Sequence, residues 1–314
     1  MKKLTEGASG WLAKLVGRRD SPAELLAENA APRIAIVTDS AAALPRDFAS
    51  ASLEVLTLPI MVDGEIYAEG EEELSTALSL ALASGKDVKT SRPSPGQFER
   101  VYQSLADRGF QAILSIHLSA ELSGTVDSAK LAAKRIAIPV EVMDSRTVAM
   151  AQGFGVRAAL QAAERGDSLD AAVLAAHAAL DSSKVFFYVP SLEQLRRGGR
   201  IGAAASWIGT MLAIKPILSV ADGQIVPLER IRSAPKAISR LDELVAAELA
   251  VRGQPSSVAI HSFGNREQAE ELLIRLQALA VPPAESFITE VPPVLGAHVG
   301  LGVLAVVISA RLPA

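Results

Sequence analysis

From residue 33 onward, apolar and polar stretches alternate in a rhythm of short strand, loop and helix. Ile34, Ala35, Ile36 and Val37 form an unbroken apolar run, the pattern of a strand buried on both faces. Thr38, Asp39 and Ser40 close it with residues suited to a strand end and a helix cap. The same rhythm predicts a strand over 53–61, helices over 73–84 and 96–108, and a buried strand over 111–117. A helix over 123–136, a strand over 140–143, helices over 147–165 and 170–182 and a strand over 185–189 follow. Strands alternating with helices predict a parallel sheet covered on both faces.

After Pro190 the rhythm changes. A short helix over 192–197 leads into a Gly-rich link through Gly198, Gly199 and Gly202, then a helix over 203–212. Strands over 215–220 and 225–232 flank Ala221-Asp222-Gly223, whose Asp-Gly is a hairpin signal. A helix over 235–251, a strand over 257–262, a helix over 266–279 and strands over 285–290 and 303–308 complete the pattern. The uncharged stretch 291–310 approaches membrane-spanning length. Pro292, Pro293, Gly296, His298, Gly300 and Gly302 interrupt it, so it reads as two buried strands around a loop. The expectation is an α/β protein of two domains, 33–189 on a parallel sheet and 190–314 on a second sheet, preceded by an extension over 1–32. In that extension Trp11, Leu12, Leu15 and Val16 have helical spacing on a basic segment. Two readings are open for it: transient contact with a membrane surface, or a tail that packs on its own domain or hangs free.

Composition narrows the function classes. With 49% hydrophobic and 21% charged residues in 314, the chain is globular. A net charge of −4 argues against a nucleic-acid partner. The absence of cysteine excludes disulfides, Cys-based zinc sites and a Cys nucleophile, and it fits a reducing cytoplasm. No uninterrupted apolar core follows the basic N-terminus, so no secretory signal is read. Four unpaired histidines predict no metal site, although carboxylates alone could hold Mg²⁺ or Ca²⁺, and no cofactor is expected. Aromatic residues make up only 4%. The apolar mass is therefore Ala, Leu, Val and Ile, which builds walls suited to an alkyl chain more than to a flat ring; an Ala-rich genome would give the same bias.

Four polar clusters are candidates for chemistry. Thr90, Ser91 and Arg92 precede Pro93, Ser94 and Pro95 on a stiffened loop; the ordinary role is a turn and helix cap. Ser119, Ser123, Gly124 and Thr125 follow a buried strand carrying Ser115 and His117. Their position at a strand end and a helix start suits an anion. His117 reads as a structural residue or as a general base for a serine. His298 lies among Gly296, Gly300 and Gly302, where a packed His in a bulge and a close approach to a ligand are equally good readings. Arg196, Arg197 and Arg200, with Lys215, Arg230 and Arg232, make a basic group that is either solvated or a dock for an acidic partner or phosphate.

Taken in order and spacing, the chain from about 33 to 310 resembles the DegV family, which includes the fatty-acid-binding subunit of bacterial fatty acid kinase. The matching pieces are Thr38-Asp39-Ser40, Thr90-Ser91-Arg92-Pro93-Ser94, Leu122-Ser123-Gly124-Thr125 with Ser128 and Ala129, and Asp144-Ser145. They continue through Gly198-Gly199-Arg200-Ile201, Ile214-Lys215-Pro216-Ile217, Arg232 with Lys236, and Gly296-Ala297-His298. The resemblance implies a non-enzymatic carrier that holds a long-chain fatty acid between a parallel-sheet domain and a mixed-sheet domain, while a separate ATP-dependent kinase phosphorylates the carboxyl group. It implies Thr90, Ser123 and His298 as carboxylate ligands, Ser91 and Ser119 as further contacts, and Arg232 as a kinase-docking residue. Neutral donors of this kind would hold a carboxylate without a fixed Arg salt bridge. Ala297 stands where Thr is usual, Leu301 where Pro often follows the glycine, and Arg92 where Gln is common. The alternatives are a hydrolase using Ser123 with His117 or His298, and a sensor of another hydrophobic acid.

Overall fold

The computed structural model describes residues 33–311 except 46, 68–71 and 208–213. The extension over 1–32 therefore lies outside the described residues. In chain order the elements begin with β1 (Ile34–Asp39), β2 (Leu53–Leu56), β3 (Ile60–Val62), β4 (Glu65–Tyr67), α1 (Glu72–Ala83), β5 (Val88–Thr90) and α2 (Pro95–Asp107). Next come β6 (Ala112–His117), α3 (Thr125–Ala133), β7 (Val140–Asp144), α4 (Met150–Glu164), α5 (Leu169–Ser182), β8 (Lys184–Tyr188) and α6 (Glu193–Arg197). The chain ends with β9 (Lys215–Ala221), β10 (Gln224–Ile231), α7 (Ala234–Arg252), β11 (Ser256–Ser262), α8 (Arg266–Gln277), β12 (Glu285–Glu290), α9 (Pro293–Val299) and β13 (Leu304–Ala310).

The first sheet has the order β2-β1-β6-β7, parallel throughout. Both of its faces are covered, which explains the apolar runs. Ile34, Ile36, Leu114 and Ile116 point to α4 and α5. Ala35, Val37 and Ile113 point to Phe98, Tyr102 and Leu105 of α2 and to Ala129 and Ala132 of α3.

The second sheet has the order β10-β9-β8-β13-β11-β12. It is antiparallel except for the β11/β12 pair, so it is the mixed sheet that the resemblance implies. Its outer face, with Phe186, Ile260, Val306 and Ile308, packs on α7 and α8. Its inner face, with Phe187, Leu218, Ala259, Ala305 and Val307, meets Met150, Ala151 and Phe154 at the start of α4. The later turns of α4, including Val156, Ala159 and Leu160, pack on the first sheet. One helix thus serves both cores, which its run of small residues permits.

Several elements differ from the sequence reading. The strand over 53–61 is two strands in different sheets, separated by Thr57-Leu58-Pro59; Pro59 removes a ladder donor where the chain changes direction. The second piece joins a three-stranded antiparallel sheet, β4-β3-β5, whose β4 and β5 the sequence reading did not see. β8 falls within 33–189 yet pairs with β13 and β9 in the second sheet. Over 203–212 the described part is a 3-10 helix, Gly202–Trp207. The two strands expected within 291–310 are instead a helix and a strand. Pro293 sits in the first turn of α9, where its missing N–H costs nothing. Gly300 and Gly302, at φ of 79° and 81°, then turn the chain into β13.

Candidate functional site

The small sheet and α1 clasp α9. Leu58, Ile60, Leu74 and Leu78 form one cluster with Leu118, Val294 and Ala297. Ala297, at the position where the resemblance puts a Thr, is therefore packed in this core. The clasp brings the end of β5 against the last turn of α9, and Thr90 Oγ1 lies 2.8 Å from His298 Nε2. The two residues are 208 apart in sequence.

Ser94 does act as the cap of α2. Its Oγ accepts from Gln97 N (3.3 Å) and its N–H donates to Gln97 Oε1 (2.8 Å). That leaves Thr90 and Ser91 for other partners. On the facing loop, Ser123 N donates to Ser119 O at 3.1 Å, and the Ser123 and Thr125 hydroxyls are 2.9 Å apart. Gly124 precedes α3 and supplies no side-chain cap, so the first-turn amides of α3 lack a side-chain acceptor.

Between these loops and the inner face of the second sheet lies a cavity of about 350 Å³, within the usual range for small-molecule sites, about 300–1,000 Å³. Thr90, Ser91, Arg92, Ser123, Arg200 and His298 line it. Elsewhere the lining is almost wholly aliphatic, with Val185, Val220, Ile225, Leu295 and Val303 among it, plus Phe187 and the buried His261. One cavity thus carries hydroxyls and cations beside a greasy wall.

The histidines of the cavity are neutral. Burial, reinforced by the Arg200 charge, pushes His298 down to about 4. Burial does the same for His261, against a small lift from the Glu290 backbone. His298 Nδ1 has no hydrogen-bond partner among the described residues. It faces Gly198, where any Cβ would run into the ring. The single ring proton is therefore best placed on Nε2, donating to Thr90. The Thr90 hydroxyl is then free to donate into the cavity.

Four of the five sequence-predicted ligands meet here: Thr90, Ser91, Ser123 and His298. Ser119 does not. Its buried hydroxyl donates to Gly223 O at 2.7 Å and accepts from Glu121 N, which ties the loop to the β9–β10 turn. The basic group also divides. Arg196 and Arg197 pair with Glu193 on the surface, Lys215 donates to Pro190 O, and Arg230 covers the Trp207 ring. Arg232 is exposed just beyond β10. Arg200 alone turns inward, its guanidinium donating to Leu122 O (3.1 Å) and Gly198 O (2.6 Å). The sequence reading named Arg200 within the basic group without singling it out, because the Arg- and Gly-rich run around it looks like a solvated linker.

His117 is no base for Ser123. Its Nδ1 lies 2.8 Å from Asp39 Oδ2 and its Nε2 2.7 Å from Ser115 Oγ, which lies 2.7 Å from Tyr102 OH. These spacings resemble a Ser–His–Asp array, but all four residues are fully buried and none lines the cavity. At the cavity itself, no Asp or Glu stands behind His298 among the described lining residues. No helix among the described residues is long and apolar enough to cross a membrane.

Fold and site define a class: two α/β sheets sharing a central helix, with an aliphatic cavity at their junction and a polar end built from both halves. The chain belongs to the DegV family, whose model, described as "Uncharacterised protein, DegV family", matches residues 33–311. A DegV domain-containing protein of Streptomyces coelicolor is 42% identical over 88% of this chain and 99% of its own length. A DegV family protein of Thermus thermophilus, whose structure is described by its fatty acid binding, is 32% identical with a TM-score of 0.83, covering 89% of this chain and 100% of that one. A DegV from Bacillus subtilis, described as a fatty acid binding protein, is 31% identical with a TM-score of 0.80, at 89% and 100% coverage.

Proposed function

We propose that the cavity holds a long-chain fatty acid, with its carboxylate at Thr90, Ser91, Ser123 and His298 and its alkyl chain against the aliphatic wall. The protein then acts as a non-catalytic carrier in the cytoplasm, presenting the carboxylate to a separate ATP-dependent kinase for acyl-phosphate formation. The observation that carries this reading is the Thr90–His298 contact at the polar end of an otherwise apolar cavity. A set of hydroxyl donors suits a carboxylate, with the uncharged imidazole of His298 donating to Thr90 and so turning the Thr90 proton toward the cavity. A nucleophile would need a base and an acidic orienter beside it, and among the described residues the only side chain hydrogen-bonded to Ser123 Oγ is Thr125. The fatty-acid-binding neighbours at 31–32% identity point the same way. Arg232, exposed and without a hydrogen bond or ion pair among the described residues, is assigned to kinase docking.

Mass spectrometry of a solvent extract of the purified protein tests the reading, followed by binding to the delipidated protein. A co-purifying fatty acid is expected, and Thr90→Val should cost roughly 1–3 kcal/mol of affinity by removing a buried donor. Delipidated protein that binds no fatty acid but hydrolyses esters in a Ser123-dependent way would overturn it. Arg232→Glu should leave lipid affinity unchanged and weaken turnover by the kinase; lost lipid affinity would contradict the docking role.

A further inference from the structure

The charges around the head-group end do not match a single carboxylate. Among the described residues the cavity is lined by two guanidiniums, Arg92 and Arg200, and by no Asp or Glu. Arg200 is fixed by the neutral carbonyls of Leu122 and Gly198, so its charge is left uncompensated. Arg92 makes no hydrogen bond or ion pair among the described residues. Its guanidinium is laid directly on Gly124, in a seat that exists only because residue 124 has no side chain: a Cβ there would collide with Nη1. Gly124 is also the uncapped start of α3, which adds first-turn amides beside the two cations. A monoanionic carboxylate can neutralise only one of these charges. A head group with two negative charges neutralises both, and its tetrahedral oxygens match the guanidinium fork.

We propose that Arg92, seated on Gly124 and lining the same cavity as the carbonyl-anchored Arg200, makes the head-group end selective for a dianionic acyl head group, that is, an acyl phosphate over the free carboxylate. This rests on the fatty-acid reading above and extends it. The Thr90 and Ser123 hydroxyls, Thr90 oriented by His298, hold whichever head group is present, whereas Arg92 discriminates by charge. The site would then retain the phosphorylated acyl chain more tightly than the free acid, with Arg92 as the specificity-determining residue.

The test compares dodecanoate with dodecylphosphonate, a stable dianion mimic, by calorimetry on the delipidated full-length protein at a pH where the phosphonate carries two charges. The wild type should bind the phosphonate about tenfold tighter than the carboxylate. In Arg92→Gln that ratio should fall about tenfold, and Arg92→Lys, which keeps the charge without the fork, should restore part of it. Dodecanoate binding with a ratio that Arg92→Gln leaves unchanged would overturn this proposal alone. A wild type that binds neither ligand would overturn the fatty-acid reading and this one with it. Arg92 is exposed, so both variants should fold, and Arg92→Lys carries the comparison by itself if Arg92→Gln does not.

Discussion

Two polar clusters flank the loop that leaves β6, and they use nearly the same residue types. One is Asp39, His117, Ser115 and Tyr102; the other is Thr90, His298 and Ser123. In the first, Asp39 accepts from Ala41 N (3.1 Å), Leu118 N (3.0 Å) and the His117 ring, and every later member bonds the next. Burial pushes the Tyr102 phenol well up, so it stays a neutral hydroxyl. In the second, among the described residues, the helix start has no side-chain cap, His298 leaves the Thr90 proton free, and the hydroxyls open on a cavity. A saturated network ties strands together, whereas an unsaturated one beside a cavity waits for a ligand. The number of donors and acceptors left over, and not the residue types, separates scaffold from site.

The largest effect should come from the saturated cluster. Asp39→Ala leaves two backbone amides and an imidazole buried without their acceptor, and should lower the unfolding free energy by about 3–5 kcal/mol, read by urea denaturation. A loss below about 1 kcal/mol would mean that the chain of bonds is not a strut. The next effect belongs to the cavity histidines. Both His298 and His261 are held near 4 in the folded protein, against 6.5 as the ordinary value. Above 6.5 neither state binds the proton and stability is complete. As pH falls from about 6.5 towards 4, the unfolded chain takes up protons that the folded one refuses. Stability is then lost, on the order of 3 kcal/mol for each histidine. Unfolding of the delipidated protein across this range should show the loss, and His298→Gln should remove about half of it. If the full loss persists in that variant, His298 is not held neutral by the fold.

Much of this was legible in the sequence where pattern and burial coincide. The run Ile34 to Val37 is buried on both faces, and apolarity alone encodes that. The α9 segment was not legible, because its helix rests on tertiary clasping by Leu58, Leu74 and Leu78 and not on intrinsic propensity. β5 was hidden for a related reason. It is three residues long, and it is a strand only because β3 lies beside it. That Thr90, Ser123 and His298 belong together was expected from the family resemblance, through order and spacing along the chain, and all three line one cavity. The direction of a side chain is a different kind of information. Ser119 and Ser123 lie four residues apart on one loop, yet one turns to Gly223 and the other to the cavity. Arg200 turns inward for the carbonyls of Leu122 and Gly198, which no local pattern announces.

The smallest effects give the sharpest version of the comparison, because the same substitution can be made in both clusters. Ser115→Ala removes one hydroxyl from between His117 and Tyr102, leaving two buried groups short of a partner. It should cost roughly 1–3 kcal/mol of stability and leave the affinity of the folded fraction for fatty acid unchanged. Ser123→Ala removes a half-buried hydroxyl whose only side-chain partner among the described residues is Thr125. It should change stability by less than about 0.5 kcal/mol and cost roughly 1–3 kcal/mol of fatty-acid affinity. Denaturation and calorimetry on the two variants read both axes. A crossed result is expected, with one variant losing stability and the other losing affinity. If Ser123→Ala lost stability and kept its affinity, the second cluster would be scaffold as well, and the head group would have to sit elsewhere in the cavity.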